Sequence, residues 1–336
     1  MQNPFVTTYS KIPDHSYIPT EQTFEIVNNF GYDRPSESVY KITGVRGSGK
    51  TVLLAKVEEE IKKLGKDEWY VYRLSPARDM LQQLLAQLAD DFSGMGIGVE
   101  TDISSEKDDR FFDVGIEIEK ILKKADASHK KILVGIDEIS KTKDVVTFVS
   151  EFGIWLRAGY PIFLVCTGLY ENIEQLCNVQ NLTFFRRATT VMTGSLNYIK
   201  MTDMYRKHLG IDTEKARLLA DMTSGYAYAF QELGVLAFKD KECPIENIKE
   251  NLKTELFAYA YEKIWEELSE GDRALARLLK DKDEYKKEEI VKLMDKPNNY
   301  AVYRDRLIRR GIIKKRQGYI GLALPFFSDY IKEYSK

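Results

Sequence analysis

The sequence predicts an α/β fold in which a parallel sheet is flanked by helices. Three observations lead there. Short apolar runs alternate with amphipathic helical stretches between residues 38 and 193. A glycine loop joins the first of these runs to the first helix. A later apolar run ends in two adjacent carboxylates, Asp137 and Glu138.

Residues 1–37 read as an extended lead-in, punctuated by Asn3-Pro4-Phe5, Ile12-Pro13 and Ile18-Pro19, with a short helix over Glu21–Phe30. Residues 38–44 form the first strand and 49–64 the helix that follows it. Trp69–Leu74 is rich in β formers and is the second strand. Ser75 and Pro76 then offer an N-cap and a first-turn proline for a helix running to about Phe92, with Leu81, Leu84, Leu85 and Leu88 on one face. Residues 93–110 are loop-like, and a helix is expected from Phe111 to Ala127. The run from Lys131 to Glu138 reads as a buried central strand. A helix over 144–158, a strand over Pro161–Thr167 and a fifth strand over Thr189–Thr193 complete the sheet. Beyond Ser195 the strands stop. Helices are expected over 198–209, 213–223, 226–238 and 245–268. Ser269 to Asp272 then has the spacing of a capping box. It opens helices at 272–281, 286–295 and 298–311, and a hairpin follows over Ile312–Gly321 around Gln317-Gly318. Three helices and a hairpin make a winged helix-turn-helix. Leu322–Tyr334, with Phe326, Phe327 and Tyr330, reads as an apolar strap over its core.

Composition narrows the class. No apolar run reaches the roughly 20 residues of a membrane span, and the first residues lack the regions of a signal peptide. Cys166, Cys177 and Cys243 have neither metal-like spacing nor a disulfide framework. His15, His129 and His208 are scattered. A reduced, cytoplasmic protein is expected. Charge is uneven. Residues 271–336 hold 17 Lys/Arg against 10 Asp/Glu, while the whole chain is at −2, so the first 270 residues carry −9.

The chemistry centres on Gly44, Val45, Arg46, Gly47, Ser48, Gly49, Lys50, Thr51 and Val52, whose spacing is G-x-x-x-x-G-K-T. Set between strand and helix, this is a phosphate-binding loop. The glycines permit the tight turn, and the loop amides and helix N-terminus face an anion. Lys50 can reach terminal phosphates, and the Thr51 hydroxyl can ligate Mg²⁺. Asp137 suits the shell of that ion, and Glu138 suits polarising an attacking water. A solvated strand end is the plainer alternative for this pair. Thr167, at the end of the next buried strand, can orient the water or simply cap the strand. Arg187, after Arg186, can reach a phosphate in a neighbouring subunit, or be one of a solvated basic pair. Asn299, Tyr303, Arg306 and Arg310 fall on one stripe of helix 298–311, with Lys314, Lys315 and Arg316 on the first wing strand. Together they offer base edges and phosphates a duplex DNA surface. Winged helices also dock proteins, and Glu288, Glu289 and Asp305 dilute the basic face.

Taken together, Asn3-Pro4-Phe5 with Ile12-Pro13, the loop Gly44–Leu54, Ile136-Asp137-Glu138, Cys166-Thr167-Gly168-Leu169 and Gly225-Tyr226-Ala227-Tyr228 resemble the AAA+ ATPases of the origin-recognition and initiator-like branch. More narrowly, they resemble bacterial and archaeal ATP-binding proteins with a C-terminal winged helix. Tyr303–Gly311, Gly318-Tyr319-Ile320 and Leu324-Pro325 are similar to that family's C-terminal unit. The resemblance implies a nucleotide-binding domain over 1–196, a helical lid over 197–268 and a winged helix over 269–336. It implies ATP and Mg²⁺ as cofactors, ATP hydrolysis, and a nucleotide-driven switch acting on duplex DNA or on a protein partner, with a homo-oligomer if Arg187 acts in trans. It places Lys50 and Thr51 on phosphate and Mg²⁺, Asp137 and Glu138 on Mg²⁺ and water, and Thr167 at the sensor-one position; the lead-in with Ile12 and Pro13 lies against the base, as such segments often do in P-loop domains, or is a mere surface strap. Two departures stand out. The lid turn Ser224-Gly225-Tyr226-Ala227 lacks the family's arginine, and Ile18-Pro19-Thr20-Glu21 replaces the Gly-Arg common near adenine.

Overall fold

Five apolar runs become strands: β1 (Val39–Thr43), β2 (Trp69–Leu74), β3 (Lys131–Ile136), β4 (Ile162–Gly168) and β5 (Thr189–Met192). In this computed structural model, which describes residues 2–8, 12–65, 67–93, 113–240 and 243–335, they form one sheet in the order β2-β3-β4-β1-β5. The pairs β2–β3, β3–β4 and β4–β1 run parallel. Parallel strands need crossovers, and helices supply them. α1 (Glu21–Phe30) precedes β1 and α2 (Lys50–Leu64) follows it. α3 (Met80–Ser93) and α4 (Val114–Ala127) separate β2 from β3, α5 (Lys143–Ala158) separates β3 from β4, and α6 (Tyr170–Cys177) and α7 (Thr183–Arg187) separate β4 from β5.

The chain divides into two compact units. One comprises residues 22–43 and 53–191, the other residues 1–21, 44–52 and 192–336. In the first, side chains alternate across the pleat. Ile132, Val134, Ile136, Leu164 and Cys166 join a core with α3, α4 and α5, while Tyr40, Ile42, Leu133, Phe163 and Val165 join a second core with Ile26, Phe30, Val57 and Ile61. Both faces are therefore covered, which is why these strands read as continuous apolar runs rather than alternating ones.

The second unit is helical around a single core that extends from Phe5 to Ile331. Its elements are α8 (Tyr198–Leu209), α9 (Thr213–Thr223), α10 (Ala227–Lys239), α11 (Ile245–Leu256), α12 (Glu262–Glu266), α13 (Glu270–Leu278), β6 (Tyr285–Lys286), α14 (Lys287–Leu293), α15 (Tyr300–Arg309), β7 (Ile313–Arg316), β8 (Tyr319–Leu322) and α16 (Phe327–Tyr334). β6, β8 and β7 form an antiparallel sheet in that order. Gln317 and Gly318 both have positive φ, 41° and 88°, which fits the two-residue hairpin turn joining β7 to β8.

Several elements depart from the sequence reading. Ser75 does not cap α3. The helix starts at Met80, and the Asp79 carboxylate accepts from the Gln82 amide at 3.0 Å. Ser75 instead holds Gln83: its amide donates to the Gln83 side chain, which returns a bond to its carbonyl. The helix expected over 245–268 is interrupted by a π-helical turn, Phe257–Tyr261. There Tyr261 is fully buried and donates to the Pro325 carbonyl. β6, α6, α7 and α16 are too short for a periodic signal. The loop expected over 93–110 and the helix start at Phe111 lie outside the described residues, apart from Ser93, which ends α3. Asp113, just inside them, caps α4 by accepting from the Ile116 amide.

Candidate functional site

β1 ends at Thr43, and the glycine loop follows directly. Gly47 and Gly49 have φ of 70° and 89°, values that favour glycine. Lys50 opens α2, a helix of 15 residues, so the first-turn amides have no partner within the helix. The Lys50 ammonium turns back into the loop and donates to the carbonyls of Gly44 and Val45 at 3.0 and 2.9 Å.

The loop is supported from the later part of its own unit. Thr193 Oγ1 donates to Ser48 Oγ at 2.7 Å, and a Cβ on Gly44 would lie 1.9 Å from that threonine oxygen. Tyr226 is buried, and its hydroxyl donates to the Arg46 carbonyl at 2.5 Å. The Tyr228 amide donates to the Gly47 carbonyl at 3.0 Å. A Cβ on Gly47 would fall 2.4 Å from the Tyr226 hydroxyl and 2.8 Å from Tyr228 Cβ, so this position is closed to any side chain. The Arg46 guanidinium pairs with Glu267 at 2.6 Å. A Cβ on Gly311 would be 3.7 Å from the Val45 amide nitrogen. The turn that lacks the expected arginine therefore touches the loop through tyrosines. Tyr226 and Tyr228 were marked in the sequence only by Gly225-Tyr226-Ala227-Tyr228. Thr193, Glu267 and Gly311 carried no signal of their own.

In the other unit, the register pairs Ile42 with Thr167 and Ile136 with Cys166, so β1, β4 and β3 end at the same edge of the sheet. Thr167 is fully buried. Its hydroxyl donates to Asp137 Oδ1 at 2.5 Å and accepts from the Glu138 amide at 3.1 Å. The Ile139 amide donates to the Thr167 carbonyl at 2.7 Å. One side chain thus orients the carboxylate and fixes the backbone of its neighbour. Glu138 has φ of 55°, a left-handed conformation that costs a non-glycine residue roughly 1–2 kcal/mol. Its side chain is exposed. Arg187 is exposed at the end of α7. Below it, the buried Lys41 ammonium donates to the Phe185 and Arg186 carbonyls at 2.7 and 3.4 Å.

Ile12 and Pro13 form a turn in which their carbonyls accept from the Asp14 and Ser16 amides. Ser16 then donates to the Pro4 carbonyl and lies 2.9 Å from the Gln231 side-chain oxygen on α10. The hydrogen bonds of this strap lead to α10.

The stripe on α15 is arranged differently from its sequence reading. Tyr303 packs on Gly271, and Asn299 donates to the Tyr303 hydroxyl. Arg306 donates from Nε to both oxygens of the fully buried Asp272, at 2.9 and 2.8 Å, and from Nη2 to Ser269 at 2.7 Å. Arg310 is buried and donates to the Glu267 carbonyl. Arg306 and Arg310 therefore tie α15 to the start of α13, because a buried carboxylate requires a cation. Lys314, Lys315 and Arg316 are exposed.

These groups suit an anion. Loop amides, a helix start and an ammonium converge on one turn. Among the described residues, no cluster of three or more His, Cys, Asp or Glu could hold a metal by itself.

The sheet order, the loop and the helical segment define the class: the chain has the AAA+ P-loop fold. Among solved structures it is similar to a Walker-type ATPase of Pyrococcus abyssi, at 12% identity over 98% of this chain and 99% of that one, with a TM-score of 0.66. It is also similar to the ORC2 protein of Aeropyrum pernix in ADPNP and ADP complexes, at 12% identity over 94% and 95% of the two chains, with a TM-score of 0.59. Residues 254–331 match a family described as a domain of unknown function, DUF8462. No curated protein matches the chain. No described helix is long and apolar enough to cross a membrane.

Proposed function

We propose that this chain is an ATP-binding and ATP-hydrolysing switch whose nucleotide state controls engagement of its C-terminal segment with duplex DNA. The observation that carries the reading is the support of the phosphate-binding loop. The same turn that would take the phosphates is held by Tyr226, Tyr228 and Glu267, with Gly311 beside Val45, which links a change at the loop to residues within 197–336. The AAA+ fold and the nucleotide complexes of the ORC2 protein support ATP as the ligand.

In this reading Lys50 leaves the loop carbonyls to neutralise the β and γ phosphates. Thr51 and Asp137 would hold Mg²⁺, which would draw charge from the phosphate oxygens. Glu138 accepts the proton of the attacking water, and Thr167 keeps Asp137 and the Glu138 backbone in place. Ile12 and Pro13 lie against the base. Arg187 meets a nucleotide in a second copy of the chain, and ATPase activity per molecule then rises with protein concentration. Residues 197–268 act as the lid and 269–336 as a winged helix.

Binding and turnover separate the roles. Lys50→Ala loses ATP binding, whereas Glu138→Gln binds ATP and stops hydrolysis. Normal turnover in Glu138→Gln would remove its role as the base.

A second reading is favoured by the approach of Gly311 to Val45 and by the bonds that Arg46 and Arg310 both donate to Glu267. Here residues 269–336 are held against the loop until nucleotide exchange, and the partner released to bind is a protein. Complete absence of duplex binding at low salt, with and without ATP, would favour it.

A further inference from the structure

The helix expected to read DNA presents an unsuitable face. On α15 the exposed positions are Ala301, Val302, Asp305 and Arg309. Arg304 pairs with Asp305 at 2.6 Å, and Arg306 and Arg310 are committed inward. What remains is a surface of mixed charge and small apolar groups.

The sheet beside it is different. In the register of β6, β8 and β7, Lys286 lies opposite Tyr319, and Tyr319 lies opposite Arg316. These three residues form one row across three strands, about 10 Å wide at the usual strand spacing. Lys314 sits two residues from Arg316, on the same face and about 7 Å away. The opposite face carries Tyr285, Ile313 and Ile320, buried in the core, and Lys315, which is exposed next to the hairpin turn; the row of Lys286, Tyr319 and Arg316 is on the face away from that core. The Lys286 ammonium lies 5.7 Å from the centre of the Tyr319 ring. Among the described residues, none of Lys286, Lys314 and Arg316 has an ion-pair partner, whereas neighbouring Lys282, Arg304, Arg306 and Lys332 each have one. Three exposed cations on one sheet face, one of them over an aromatic ring and none in an ion pair among the described residues, suit a polyanionic backbone, with Glu289, which accepts from the Lys286 amide, as the carboxylate beside them.

We propose that duplex DNA is held through its phosphates on this outer sheet face, by Lys286, Lys314 and Arg316 with Tyr319 between them, and not through base contacts from α15. The inference rests on the DNA reading above. It makes binding strongly salt-dependent and indifferent to sequence.

The test uses the full chain with two duplexes of unrelated sequence, from 25 to 200 mM salt. Wild type binds both within about twofold of each other. Lys286→Gln/Lys314→Gln/Arg316→Gln flattens the slope of log K against log salt by about three and weakens binding on the order of 10²-fold near 100 mM. Lys286→Arg/Lys314→Arg keeps wild-type binding, and unchanged thermal unfolding shows that each variant is folded. A triple variant that binds like wild type would overturn the proposal and leave the DNA reading standing. Failure of wild type to bind either duplex at 25 mM salt would overturn both. Strong preference for one duplex would return recognition to α15. Equal binding to phosphatidylserine vesicles, lost in the triple variant, would assign the face to a membrane surface and overturn the duplex.

Discussion

Replacing Arg306 separates two incompatible accounts of α15. If the guanidinium faces DNA, Arg306→Ala weakens binding and leaves the fold intact. The structure requires the reverse. Asp272 is fully buried, and Arg306 supplies both Nε bonds and a 2.7 Å ion pair. Removing one partner of a buried pair costs about 3–5 kcal/mol, because the remaining charge is left in a medium that solvates it poorly. Here the figure is reduced. The Arg306 side chain is 31% exposed, Ser269 still donates to Asp272 at 2.8 Å, and Arg310 lies 3.9 Å away. About 2–3 kcal/mol remains. In a unit of about 175 residues, that corresponds to roughly 5–10 °C in Tm. Thermal and urea unfolding of the full chain measure it. Adding Asp272→Asn, which removes the stranded charge, should recover part of the loss. A Tm within 1 °C of wild type, together with abolished DNA binding, would refute the assignment of Arg306 to Asp272.

Three further outcomes follow from the site and the core. Thr167→Val removes the hydroxyl shared by Asp137 and the Glu138 amide; kcat should fall on the order of 10²-fold with ATP affinity nearly unchanged, as measured by steady-state hydrolysis and equilibrium binding. Gly47→Ala places a Cβ against the Tyr226 hydroxyl and Tyr228 at a φ of 70°; ATP affinity should fall at least about tenfold, a calorimetric measurement, although the loop pattern accepts any residue there. Cys166 is fully buried in β4, and burial pushes its thiol up to about 12. The folded thiol stays protonated where the unfolded one ionises, so the stability this gives is whole below about pH 9 and is lost as pH rises toward 12, at up to about 1.4 kcal/mol per pH unit. Urea unfolding should show that loss, and Cys166→Ala should flatten it while lowering stability at neutral pH through the cavity it leaves.

The parts of the fold legible from sequence are those fixed by local chemistry. Glycines at fixed offsets need a turn, Lys131–Ile136 has no polar residue after its first, and Gln317-Gly318 admits left-handed φ at both positions. Each signal lies within a few residues of the structure it specifies. The misreadings share the opposite property. Ser75-Pro76 looks like a helix start, but Gln83 engages Ser75 and lets Asp79 take the cap. Arg306 and Arg310 have the spacing of a solvent stripe, yet Asp272, some 34 residues earlier, draws Arg306 inward. Nothing in the spacing of α15 reveals that its charge partner lies on another helix, because helical periodicity identifies a face and not what covers it. Glu267 was invisible for the same reason: an exposed-looking acidic residue near a helix end gains its meaning only from Arg46, more than two hundred residues away.

That residue also bears on the missing lid arginine. An arginine in the 224–227 turn would sense the γ phosphate by charge. Here the turn offers Tyr226, whose hydroxyl grips a main-chain carbonyl of the loop, and charge enters through Arg46 of the loop itself. Glu267 accepts Arg46 through its carboxylate and Arg310 through its carbonyl. Arg310 is followed by Gly311, which returns to Val45. The loop and the end of α15 are therefore joined through Glu267, with Gly311 placed beside Val45. An anion in the loop and the Glu267 carboxylate both attract Arg46, whose guanidinium has donors left over from the Glu267 pair. Loss of the Arg46–Glu267 pair leaves the Arg310 bond to the Glu267 backbone without its side-chain anchor. The 224–227 turn thus meets the loop through a tyrosine hydroxyl, and Tyr228 just beyond it through its main-chain amide, where the resemblance leads one to expect a cation.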